Sequence, residues 1–298
     1  MSVVERTKRK KRADEEGVAT ETPTVRSETQ AGERPLVTDG RRAGSVSEIS
    51  AELQALQRQR AWHLKSRNMI ANRLQATVAG VLGYHSGMKE ADRRKIFGEA
   101  GKVIKQIAAG EIASTLNSLV LTTVSAIDGF EAMKGHLEKE MVKLVKQLPV
   151  AKWVEQSDQR GFGLLFLGIV IGETGDLANY ANPGKVWRRL GCAPWTKDGE
   201  TLMGATWKSR SNAKGVTKLH AEDWEQFGYS PRRRSIAFLI GEGIVKQNQG
   251  GPYRKRYDEA KAAIAAKHPD YSAGRCHAHG MLLATKRLLR ELWIEWNR

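Results

Sequence analysis

The chain has 298 residues, and its 49 lysines and arginines against 33 acidic residues give a formal net charge of +16. Hydrophobic residues make up 40% and glycines number 29, enough to bury the core of one or two domains and to exclude a chain unfolded throughout. Two cysteines, Cys192 and Cys276, exclude a disulfide scaffold and a four-cysteine zinc site, and point to a reducing compartment.

Residues 1–44 are expected to form a disordered tail of mixed basic and acidic character, because they carry almost no large apolar side chains. Lys8-Arg9-Lys10-Lys11-Arg12 is a basic run, followed at once by Asp14, Glu15 and Glu16. Residues 1–50 contain ten basic and nine acidic side chains, so +15 of the charge lies in the body of the chain. A basic protein of this kind most often meets nucleic acid, with acidic proteins or anionic surfaces as alternatives. The charged N-terminus does not resemble a secretory leader. The most apolar run, Leu164 to Ile171, is too short to span a bilayer. We therefore expect no membrane association and a cytoplasmic location.

Ser45 and Glu48 have capping-box spacing, which predicts a helix start. Apolar residues at helical period (Ile49, Leu53, Leu56, Ile70, Leu74, Val78, Val81) carry that helix to about Leu82, where Gly83 ends it. A second helix is predicted from Lys89 to Ile107. A third, from Glu111 to Leu148, carries an apolar stripe including Val120, Val124, Phe130, Leu137 and Met141, and Pro149 stops it. Together, residues 45–149 read as a helical hairpin or coiled-coil-like arm without visible chemistry, and one able to self-associate.

Composition changes near residue 150. Seven of the eight tryptophans follow it, and prolines and glycines return as punctuation. Residues 150–298 therefore read as a second, compact helical domain. No convincing alternating strand pattern appears there. The fold class expected is mainly α: an arm followed by a compact helical domain.

That domain opens on Gly161-Phe162-Gly163, runs through the apolar segment Leu164 to Ile171, and reaches a second glycine turn at Gly172 to Asp176. This resembles a helix-hairpin-helix. Glycines such as Gly161 and Gly163 let backbone N–H groups approach a phosphate without a Cβ in the way, and a helix N-terminus favours anions. A buried helix with close helix–helix contacts is the alternative. Next, Asn182 and Pro183 predict a helix start. Lys185, Arg188 and Arg189 share one face of that helix, and Val186 and Leu190 share another. A basic face there suits backbone phosphate, which positions a protein on DNA without reading sequence.

Downstream, Lys208, Arg210 and Lys214 surround Ser209 and Ser211 in a polar, basic stretch. Arg232-Arg233-Arg234 opens a predicted helix at 231–247. Guanidinium groups bind phosphate in two-pronged fashion, and cations at a helix N-terminus oppose its dipole, so a neighbouring anion is expected. Nucleic acid is one candidate anion, and an acidic side chain such as Glu222, Asp223 or Glu225 is the other. Two further helices are predicted at 252–267 and 275–296. On the first, Tyr257 and Ala260 face inward, while Arg254, Lys255 and Arg256 face phosphate or water. His268, Cys276, His277 and His279 lack the second close ligand pair of a structural zinc site, so no metal site is predicted.

The run GFGLLFLGIVIGETGDLANYANPGKVWRRLGCAP, together with SPRRRSIAFLIGEGIV, GPYRKRYDEAKAAI and CHAHGMLLATKRLLRELW, resembles the C-terminal domain of the insertion-sequence 110/116/902 transposases. The resemblance covers residues 151–298, and the arm before it resembles the coiled coil that precedes this domain in that family. It implies a DNA-binding recombination protein of a mobile element, with DNA and a structured guide RNA as partners and a bacterial, nucleoid-associated location.

In the family, an N-terminal RNase-H-like domain holds magnesium on acidic residues, and the C-terminal domain supplies a nucleophilic serine after the LG..P turn. Residues 1–48 cannot fold as such a domain, so magnesium would enter only with a domain supplied in trans, and no cofactor is expected on this chain alone. The matching turn, Pro194-Trp195-Thr196-Lys197-Asp198-Gly199-Glu200, holds no serine. The available hydroxyls are Thr196, Ser209 and Ser211, each of which needs an activating base. A DNA-binding component that is catalytically incomplete alone is one reading. An active recombinase using one of these hydroxyls is a second. A non-enzymatic scaffold binding an acidic protein partner through the arm is a third.

Overall fold

The structure is a computed structural model, and it describes residues 45–197, 200–203 and 229–298. The tail at 1–44 and the stretch 204–228 lie outside the described residues. The fold is mainly helical.

Helix α1 (Val46–Val81) begins on the capping box read from the sequence. Ser45 Oγ accepts from the Glu48 N–H at 3.2 Å, and Glu48 Oε2 accepts from the Ser45 N–H at 2.7 Å. Gly83, with φ +95°, lies just beyond its end. Helix α2 (Glu90–Ala108) follows. Helix α3 (Asn117–Val145) starts six residues later than the periodicity predicts. Gly110 turns the chain at φ +73°, and Asn117 Oδ1 accepts from the Ser114 N–H at 2.9 Å. That local bond satisfies a backbone donor outside the helix and delays its start.

α1 and α3 run antiparallel, fixed by Arg60 on Glu138 (2.7 Å) and Arg67 on Glu131 (3.0 Å). α2 packs on both through a small core of Leu74, Val78, Ala100, Ile107 and Val120.

Helix α4 (Ala151–Val154) and a 3-10 turn (Ser157–Gln159) lead into α5 (Leu164–Thr174). α5 is apolar on nearly every side because it is central: α1, α3 and α4 pack against it. Gly168 and Gly172 make this approach close. A Cβ on Gly172 would lie 2.4 Å from Gln57 Cβ, and one on Gly168 would lie 3.1 Å from Val145 Cγ2. The main core therefore joins Leu53 of α1 and Met141 and Val145 of α3 to Leu167 and Ile171 of α5. Residues on both sides of position 150 share it.

A second 3-10 turn (Leu177–Asn179) leads to α6 (Pro183–Arg189), where Asn182 Oδ1 caps the Lys185 N–H at 3.2 Å. A two-stranded antiparallel hairpin then appears where no strand was expected. β1 (Pro194–Lys197) pairs with β2 (Glu200–Met203). Strands of four residues are too short to show alternation. An Asp-Gly pair between two short runs is nevertheless a hairpin signal in a sequence, and Asp198-Gly199 is such a pair.

Three helices close the fold: α7 (Pro231–Gln247), α8 (Pro252–Lys267) and α9 (Ala273–Trp296). Serine caps α7 and α9, with Ser230 and Ser272 accepting from Arg233 and Arg275. α9 spans the unit, packing on α6, α7 and α8. Gly280 lets α8 approach, since a Cβ there would meet Tyr257 at 2.9 Å. Tyr253 is fully buried and donates its hydroxyl to Glu291 Oε2 at 2.5 Å.

Candidate nucleic-acid interface

α6 presents two of its three cations, Lys185 and Arg188, as the sequence pattern implies, and the third, Arg189, does not follow it. Val186 and Leu190 are fully buried, while Lys185 and Arg188 are exposed. Trp187 anchors the helix by donating its indole N–H to the Lys286 carbonyl at 3.1 Å, and the Lys286 ammonium lies 5.3 Å from the indole ring centre. Burial lowers the Lys286 pKa, the Cys192 thiol opposes this, and Arg234 adds to the lowering.

Arg189 turns inward, and its Nε donates to the backbone carbonyl of Glu173 at 3.2 Å. Glu173 is the hub of the region. Its side chain is only 1% exposed. Oε1 accepts from Gln57 Nε2 at 2.9 Å, and Oε2 accepts from Arg232 at 2.8 Å and from Arg233 at 3.2 Å. The anion expected beside the α7 N-terminus is thus supplied for Arg232 and Arg233 by the chain's own Glu173. Arg232 nevertheless stays half exposed. The Arg233 guanidinium is pushed below its ordinary range, by burial first and by Arg189 next.

Arg234 faces the other way, with Nη1 3.9 Å from Cys192 Sγ. Gly191, at φ +68°, makes room for it, since a Cβ there would lie 3.1 Å from Arg234 Cβ. Two basic groups therefore result, Arg234 and Lys286 beside Cys192, and Arg189, Arg232 and Arg233 at Glu173. Among the described residues, Glu173 is the one carboxylate bonded to these cations.

The glycines divide. Gly161 has φ +91°, and a Cβ on it would lie 2.4 Å from the Gly243 carbonyl oxygen. It serves the crossing with α7, which is the packing alternative. Gly163, at the N-terminal cap of α5, is exposed and has open space where a Cβ would sit.

On α8, Arg254 binds Asp258 (3.0 Å) and the Val245 carbonyl (2.8 Å), and Arg256 lies 3.8 Å from Glu259. Lys255 is exposed between them. Tyr257 and Ala260 are buried, as expected. Thr196 lies on β1, in register with Thr201 of β2. Ser209, Ser211, Lys208, Arg210 and Lys214 lie outside the described residues, as do Glu222, Asp223 and Glu225.

Among the described residues, no group of three His, Cys, Asp or Glu side chains could hold a metal ion. His277 Nδ1 instead lies 2.7 Å from the Tyr257 hydroxyl, and His268 stacks on Tyr271. No described helix is long and apolar enough to cross a membrane.

Sequence reasoning missed Glu173 and Gln57. The available signal was a single carboxylate in an otherwise apolar helix, and an amide on the stripe begun by Ile49 and Leu53.

Both cysteines are buried and free, and burial pushes the Cys192 thiol up. The reactive thiolate is correspondingly scarce. Titration with a disulfide reagent at pH 8 should therefore find both thiols slow in the native chain and both fast in guanidinium. Fast native reaction of Cys192 would contradict its buried position.

No protein-family model matches the chain, and neither does any curated protein or solved structure among those compared.

Proposed function

We propose that this chain binds DNA through its phosphate backbone, as a transposase-related component of a mobile element acting in transposition or recombination. In this reading α1 to α3 form a coiled-coil-like arm able to self-associate. α5 and α6, joined through the Gly175 turn, form a helix-hairpin-helix-like unit. The chain is catalytically incomplete alone. Magnesium-dependent strand cleavage enters with a domain supplied in trans, and a structured guide RNA is a further partner.

The observation that carries the reading is the basic surface of α6, where Lys185 and Arg188 are exposed, beside the gathering of Arg189, Arg232 and Arg233 at Glu173. Arginine is suited to this task because its planar fork matches phosphate oxygens and it stays charged when partly buried. Such contacts fix position and leave base edges unread. Sequence choice therefore falls to another component, which the guide RNA supplies here.

The test is a salt titration of binding to duplex DNA, junction DNA and structured RNA. With four or five phosphate contacts, affinity for DNA should fall by about two orders of magnitude between 50 and 200 mM salt. Lys185→Glu with Arg188→Glu should weaken duplex or junction binding about tenfold or more and flatten the salt slope by about two. Absence of binding to both DNA forms at about 50 mM salt would sink the reading.

A further inference from the structure

A second feature lies away from the α6 surface. Between the middle of α1, the first turns of α5 and the outer face of α7 runs a groove of about 830 Å³. Its walls are apolar: Trp62 and Met69 from α1, Leu165, Phe166 and Ile169 from α5, and Leu239 from α7. Three of these are large side chains left in water, with Trp62 57% exposed, Met69 46% and Leu239 51%. Trp62 is held upright by edge-on contacts with His63 (4.9 Å) and Phe130 (6.0 Å). An apolar surface held open in this way is characteristic of a binding site rather than of a solvated helix face.

The polar lining has one sign. Arg58, Arg60, Lys65 and Arg232 border the groove, and no Asp or Glu does so among the described residues. Arg60 is bound to Glu138 and Arg232 to Glu173, whereas Arg58 and Lys65 are exposed. Gln57 also lines the groove and is 2% exposed, and its Oε1 has no hydrogen-bond partner. The Nε2 bond to Glu173 fixes which end of the amide is left unsatisfied.

From these features we infer that the groove is a docking site for an acidic amphipathic helix of a partner protein. Size, wall chemistry and charge agree on this occupant. Gln57 to Asn72 spans about 22 Å of helix, or four turns, which is the length an amphipathic helix presents with anchors at i, i+3, i+4 and i+7. The walls are mainly aliphatic and concave. Stacked bases need aromatic faces in series, and a flat lipid surface could not enter. The cationic rim meets carboxylates flanking the apolar stripe. This inference does not depend on the DNA reading; the two sites meet at Arg232, while the exposed cations of the groove, Arg58 and Lys65, lie on α1.

The test uses the full chain and a fluorescein-labelled amphipathic peptide of about four turns, with leucines on one face and glutamates flanking them. Fluorescence anisotropy should show binding at 50 mM salt. The same peptide with lysine for glutamate, or with its residues shuffled, should bind at least about tenfold more weakly. Leu239→Glu, and separately Arg58→Glu with Lys65→Glu, should each cost about tenfold or more. Lys185→Glu with Arg188→Glu should change nothing here. These groove substitutions are at exposed positions, and circular dichroism of each variant checks that it is folded. Equal binding of the acidic, basic and shuffled peptides, or none, overturns the proposal. So does acidic-peptide binding that Leu239→Glu leaves intact. If a labelled oligothymidylate binds instead and loses affinity on Leu239→Glu, the groove belongs to nucleic acid and the peptide assignment fails.

Discussion

Glu173→Ala should destabilise the folded chain by about 3–5 kcal/mol, because it removes one partner of a buried ion pair and leaves the others uncompensated. The carboxylate is almost wholly buried and holds Gln57, Arg232 and Arg233. It thereby ties α5 to α1 and α7. Without it, Arg233 remains little exposed beside Arg189, and two like charges face each other with no anion between them. Arg232 is half exposed and can turn to water, so its share of the loss is the smaller. Glu173→Gln should recover part of the loss, since the amide keeps the volume and accepts from Gln57 but brings no charge. Urea denaturation of the three proteins measures this. A loss below about 1 kcal/mol for the alanine variant would mean that the arginines draw their stability from elsewhere.

The same residues show what the sequence could and could not carry. Local features were legible because neighbouring residues determine them. The Ser45–Glu48 box starts α1, Asn182 caps α6, and prolines start α7 and α8. The basic face of α6 also followed from spacing alone. The Glu173 hub did not, since its partners lie 116, 59 and 60 residues away in the chain. An arginine triplet and a lone glutamate each have many potential partners, and only the packing of α5 between α1 and α7 selects among them. For the same reason, the anion expected beside the α7 N-terminus could be a phosphate or a carboxylate nearby in sequence, and the structure supplies Arg232 and Arg233 with the distant Glu173. The β1–β2 hairpin failed for a different reason. Its four-residue strands carry too little periodicity, and the Asp198-Gly199 signal was the part to read.

Gly161→Ala tests which of its two expected roles Gly161 fills, and its expected cost is about 2–5 kcal/mol. Two effects combine. A non-glycine residue at φ +91° pays about 1–2 kcal/mol of backbone strain. In addition, the new Cβ would lie 2.4 Å from the Gly243 carbonyl oxygen and 2.8 Å from the Ile244 nitrogen, both backbone atoms that no side-chain rotation can clear. Forcing that crossing apart is an overpacking cost of about 1–3 kcal/mol. Gly243→Ala should be similarly damaging, because its Cβ would meet the Gly161 carbonyl oxygen at 2.4 Å. Gly163→Ala is the control. It has φ −87° and nothing within 4 Å of a Cβ, so stability should change by no more than about 0.5 kcal/mol. DNA binding separates the roles further. If Gly161 served phosphate approach, its alanine variant would lose affinity while melting normally. The close contact with α7 requires the reverse, a lowered melting temperature with affinity retained by the fraction still folded.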